Sequence, residues 1–155
     1  MDQFTELETE MKKILPVLLT AFICTATNAG EREETAKIIR VSHQQAACLN
    51  VIGGNFTNRD QERAAAEKFY STLIGNMRKI VAYGMQSGVK DIPLMRQFMG
   101  NNEDILVGIF LGGLLDESAV DLNKAIHDMR EGDTVDGISR DLWAKQGCDA
   151  IYAGL

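Results

Sequence analysis

Ala66 to Gly88 reads AEKFYSTLIGNMRKIVAYGMQSG. Ala66, Phe69, Leu73, Met77, Ile80 and Gly84 recur every three or four positions along it. A helix turns every 3.6 residues or about so, which lays these residues along one stripe; a strand, with its period of two, would scatter them over both faces. Thr57 followed by Asp60 resembles a capping signal at the front of this segment, the acid being one carbon shorter than the usual Glu. Gly88 supplies the stop.

The same periodicity extends on both sides. Upstream, Glu31 to Ile52 places Ile38, Val41, Cys48, Leu49 and Ile52 near one face. Glu31, Glu33 and Glu34 stand at its N-terminal end, where negative charge complements the helix dipole, and Gly53-Gly54-Asn55 ends it. Downstream, Ile92-Pro93 opens a short helix through Met99, with Gly100 as its stop. Asn101 or Asn102 can cap the next helix. Its stretch Ile105 to Leu115, ILVGIFLGGLL, carries no charge and is expected to be the central, most buried element. Gly108 and Gly112 within it would admit a neighbouring helix at close range. A polar continuation, Asp116 to Arg130, ends at Gly132. Ser139 is expected to cap a last helix in which Ala144, Cys148, Ile151 and Leu155 share a face, with Trp143 beside it. No alternating strand pattern persists anywhere. The expected fold is all-α, a compact bundle of four to five helices.

Composition agrees with one globular domain: 155 residues, 45% hydrophobic and 25% charged. A net charge of −6 argues against nucleic acid, whose phosphates call for clustered Lys and Arg. The first 29 residues bear on destination. Met11 onward reads MKKILPVLLTAFICTATNAGE: a basic start at Lys12 and Lys13, an apolar run from Ile14 to Ile23, then small or polar residues. Thr27 and Ala29 suit a signal-peptidase pocket, so residues 11–29 read as a signal peptide cleaved between Ala29 and Gly30. The apolar run is shorter than the roughly 20 residues that span a bilayer, so no stable membrane anchor is expected after cleavage. Ile23 before Cys24 argues against lipoprotein processing. Residues 1–10, MDQFTELETE, carry four acids and no base and read as an upstream extension, with Met11 as the natural start. The mature domain is then 30–155 and the expected compartment is the bacterial periplasm. Asn55-Phe56-Thr57 has the form of a glycosylation acceptor, relevant only to a eukaryotic secretory route.

Two cysteines remain in the mature chain, Cys48 and Cys148, and both fall on inward faces of the first and last mature helices. In an oxidising compartment an even count predicts a disulfide, with two separate buried thiols as the alternative. Closing a loop of that length is worth about 4–5 kcal/mol on chain-entropy grounds.

Catalytic signatures are missing from the sequence: no Gly-x-Ser-x-Gly, His-Glu-x-x-His, phosphate loop or Cys-x-x-Cys. Gly132 to Trp143 imitates a calcium loop but fails at its first and last ligand positions. No metal or other cofactor is expected. His43, one turn before Cys48, could serve a nucleophilic thiolate only if the disulfide did not form. His127 near a helix C-terminus has an ordinary role in complementing the dipole. Charge is the one uneven property: residues 30–100 carry 10 bases and 7 acids, residues 101–155 carry 4 bases and 11 acids. Either the halves neutralise one another or the acidic half receives a basic protein partner. The candidate contact residues are Asp128, Glu131, Asp133, Asp136 and Asp141, around the Asp- and Gly-rich loop from Arg130 to Ser139.

The signal peptide, Cys48 in a first helix, Asp104-Ile-Leu-Val-Gly-Ile-Phe in the middle and Gly147-Cys148-Asp-Ala-Ile-Tyr152 at the end resemble small exported helical proteins of Gram-negative bacteria. In architecture the chain is similar to periplasmic immunity proteins of the Tai and Rap type, which neutralise cell-wall amidases. The resemblance implies a protein-binding, inhibitory chain that forms homodimers and has no catalysis of its own; no individual inhibitory residue carries over. A periplasmic structural or chaperone-like stress protein is the alternative expectation, and a small enzyme the third.

Overall fold

The apolar stripe from Ala66 to Gly84 lies within a helix of 28 residues, Arg59–Gln86. The computed structural model describes residues 29–86 and 102–155. Among them are six helices and no strand: α1 Ala29–Asn50, α2 Arg59–Gln86, α3 Glu103–Ser118, α4 Val120–His127, α5 Val135–Gln146 and α6 Cys148–Ala153. The all-α expectation holds, and a disulfide joins α1 to α6, the first and last of these helices. The upstream extension, nearly all of the signal peptide and the short helix expected after Pro93 lie outside the described residues.

Packing divides the described residues into two units, one comprising 29–39, 77–86 and 102–113, the other Arg40–Asn76 and Leu114–Leu155. In the first unit Thr35, Ile39, Met77, Ile80 and Val81 are buried, as are Leu106, Val107, Phe110 and Leu111. Arg78 reaches Asp104 at 3.2 Å on its surface. In the second unit Cys48, Val51, Phe69, Leu142, Trp143 and Cys148 form one buried cluster, flanked by Phe56, Leu122, Ile138, Ile151 and Tyr152.

Helix starts show where polar side chains outcompeted the expected caps. Asn58, not Thr57, caps α2: its Oδ1 accepts from the Gln61 amide at 2.9 Å. Asn102 caps α3, accepting from the Asp104 and Ile105 amides at 3.1 and 3.4 Å, as one of the two candidates predicted. Thr134 caps α5, its hydroxyl accepting from the Gly137 amide at 3.1 Å, whereas Ser139 is buried inside that helix. Thr and Asn side chains at such positions satisfy amides that the first helical turn leaves unpaired.

Two expected continuous helices are interrupted. The polar continuation of α3 breaks at Ala119, whose amide bonds back only three residues to the Asp116 carbonyl at 3.2 Å. The last helix breaks at Gly147, which adopts φ +68° and terminates α5 by donating to the carbonyls of Trp143 and Ala144. That left-handed conformation is one glycine enters freely, so the chain turns here before α6 begins.

The charge-free run is not buried all round. Leu106, Val107, Phe110, Leu111 and Leu114 face inward, but Ile105 is 46% exposed and Gly108 and Gly112 are exposed. Among the described residues, a Cβ built on either glycine meets nothing within 4 Å, so no described helix makes the close approach expected at this pair. With apolar residues on every side of the sequence, composition could not select the buried face. Since each glycine there weakens the helix and contacts nothing, Gly108→Ala and Gly112→Ala should each stabilise the chain by about 0.5–1 kcal/mol in chemical denaturation. A loss of stability would instead place a neighbour against that stripe.

Candidate functional site

The second unit is built around Cys48 and Cys148, whose Cα atoms lie 5.5 Å apart with the sulfurs bonded. Both residues are fully buried. α1 presents Cys48 near its C-terminal end, and Gly147 turns the chain so that Cys148 enters at the start of α6. Aromatic side chains wall the bond. Phe56 packs edge-on against Trp143 and Tyr152, both at 5.6 Å between ring centroids. Phe69 lies 6.2 Å from Trp143 and 5.9 Å from Tyr152. The Trp143 indole N–H donates to the Asp149 carboxylate at 2.8 Å, and the Lys68 ammonium stands 4.9 Å over the Tyr152 ring.

The oxidised pair removes the thiolate that a Cys–His nucleophile would require. His43 lies instead with its Nε2 4.0 Å from the Glu117 carboxylate, and the Ser118 hydroxyl donates to its backbone carbonyl at 3.5 Å. His127 is exposed in the last turn of α4. Among the described residues no three His, Cys, Asp or Glu side chains converge as a metal site, and no described helix is long and apolar enough to cross a membrane. The Asn55 side-chain amide donates to the Val51 and Gly53 carbonyls at 2.8 and 3.1 Å, so a glycan there would cost the turn at least one of these bonds.

Helices α4 and α5 pack together, and the loop between them carries the predicted acids. Asp128 is the C-cap residue of α4. The Asp133 carboxylate accepts from the Arg130 amide at 2.8 Å, and the Asp133 amide returns a bond to the Arg130 carbonyl at 3.0 Å. This reciprocal closure, with Gly132 at φ +100°, fixes the loop. Glu131 projects from it, and Asp136 stands in the first turn of α5. All four acids are exposed. Asp141 is exposed too, but five residues past Asp136 it lies about 140° around the helix, away from the loop acids. Among the described residues no ion pair within 4 Å engages Asp128, Glu131, Asp136 or Asp141. Unforeseen from the sequence, Ile126, Met129 and Val135 on the same segment are 38%, 36% and 50% exposed. α4 itself has no buried residue.

A second contact sets the start of α5. Gly54 adopts φ +74°, and a Cβ there would fall 2.9 Å from the Asp136 Cβ and 3.3 Å from its Cα. The turn after α1 thus rests directly on the backbone that presents Asp136. No family model, curated protein or solved structure matches the chain.

Gly54→Ala combines left-handed backbone strain with this contact and should cost about 1–3 kcal/mol. Gly53→Ala, where a Cβ meets nothing, should stay within about 0.5 kcal/mol of the parent. Paired denaturation curves check both; equal effects would remove the close approach as the cause.

Proposed function

We propose that the chain is an exported periplasmic protein that binds and inhibits a protein partner, in the manner of an immunity protein held against a cell-wall-targeting effector. It acts by occupying that partner, not by turnover. The contact surface is the α4–α5 segment, and the partner presents basic side chains to it. The observation that carries this reading is the set of exposed loop acids that no described side chain neutralises, held on a fixed loop beside exposed Ile126, Met129 and Val135. Complementary charge of this kind speeds encounter and selects among partners, while adjacent apolar side chains supply the area that charge alone does not. The buried disulfide supports the placement, since such bonds persist in oxidising compartments.

Residues 30–155, immobilised and exposed to periplasmic extract, should retain a discrete partner that is released as salt is raised. The double variant Asp128→Lys/Glu131→Lys should lower its affinity about tenfold or more without lowering the melting temperature. Both side chains are exposed and neither closes the loop. Absence of a salt-sensitive partner would overturn the reading. Protection of many unfolded clients would favour a chaperone-like holder.

A further inference from the structure

Helix α6 is six residues long, and a helix that short does not stand alone, because nucleating a turn fixes many dihedrals for few hydrogen bonds. Its one covalent tie to a distant element is the disulfide. Gly147 already terminates α5 through its bonds to Trp143 and Ala144, so α5 is complete without α6. Cys148 is the one buried residue of α6, and it is the residue bonded to Cys48. Asp149, Ala150 and Ala153 are exposed, while Ile151 and Tyr152 are half-buried. The remaining attachments lie at the surface of the cluster: the Trp143–Asp149 hydrogen bond, the Tyr152 ring against Phe56 and Phe69, the Lys68 ammonium over that ring, and the half-buried side chains of Ile151 and Leu155.

Beneath α6 lies a different surface. Phe69 is fully buried and Trp143 nearly so, and both belong to the cluster that Ile151 and Tyr152 pack against. We propose that the Cys48–Cys148 bond is a redox latch: its reduction lets α6 swing away at Gly147 and uncovers the aromatic face of Phe56, Phe69 and Trp143, while α2 stays folded. A dithiol reductant performs the step. One of its thiolates attacks a protein sulfur to give a mixed disulfide and one protein thiolate, and its second thiol then displaces the other protein sulfur. After proton transfer the protein holds two thiols and the reductant one disulfide, two electrons and two protons having passed to the protein. Both cysteines are fully buried, so attack follows a local opening of α6 and its rate reports that opening. This inference stands independently of the identity of any partner.

Hydrogen exchange read by mass spectrometry on the full chain tests it, comparing the oxidised protein, the protein reduced by dithiothreitol, and the double variant Cys48→Ser/Cys148→Ser. In the reduced and double-serine forms, amides of residues 149–153 should exchange about tenfold faster or more, and Trp143 emission should shift to the red. Amides of residues 65–73 in α2 should still exchange about tenfold more slowly, or slower, than those of 149–153 in the same reduced form. Unchanged protection of α6 would overturn the latch, since its other contacts would then suffice. Loss of α2 protection to the level of α6 would also overturn it, making the bond a staple for the whole unit.

Discussion

The bond between Cys48 and Cys148 is the covalent constraint around which the buried cluster of the second unit is arranged. It joins residues 100 apart in sequence, and closing a loop of that size lowers the entropy of the unfolded chain by an amount worth about 4–5 kcal/mol. Its position matters as much as its size. The end of α1 leads into the turn where Gly54 comes against Asp136. That contact places the first turn of α5, and α5 carries Trp143 back to the disulfide. The ends of α1, α5 and α6 thus meet in one buried cluster.

Polar side chains set the register that apolar packing leaves loose. The Asn76 amide donates to the Ser42 hydroxyl and the Gln45 carbonyl oxygen, both at 3.1 Å, where Ser42 is fully buried and Gln45 nearly so. Asn50 donates to the Leu115 carbonyl at 2.8 Å. A slide of either helix by one residue would break these directional bonds, and a part-buried amide left without its acceptor costs more than the bond itself contributes. Apolar stripes tolerate a range of positions; directional bonds accept few.

Sequence periodicity reached the helices and the cysteine pair because both obey local rules. A stripe repeating through Phe69, Leu73, Met77 and Ile80 has one folding solution, and two inward-facing cysteines have one pairing. The caps and breaks were less legible. Ser139 and Thr134 are both good N-cap residues, and only the conformation of Thr134, extended at φ −126° and ψ 150°, distinguishes them. Gly147 interrupts a periodic face that continues across it, since Cys148 is buried on one side and Leu142 on the other. The face of α3 was hidden by too much signal: eleven uncharged residues offer no polar side to turn outward. Of the candidate contact residues, the loop acids from Asp128 to Asp136 are brought onto one segment and Asp141 is carried round the helix. The exposed Ile126, Met129 and Val135 escaped because an isolated apolar residue in sequence reads as core.

The uneven charge of the chain admits a sharper physical account than neutralisation between halves. Some acids after residue 101 do have partners: Asp104 meets Arg78 and Asp149 receives the Trp143 indole. Those partners tie helices or rings that the fold needs. The loop acids differ in kind, since Asp133 bonds only the backbone of its own loop. A group of like charges on a closed loop repels itself and destabilises the folded state slightly, and relief would come from any long basic side chain within reach. Lys124 and Arg130 are exposed on the same segment yet reach none of these carboxylates within 4 Å. A basic partner would gain that relief together with the apolar area of Ile126, Met129 and Val135, and the two terms favour the same side of the molecule.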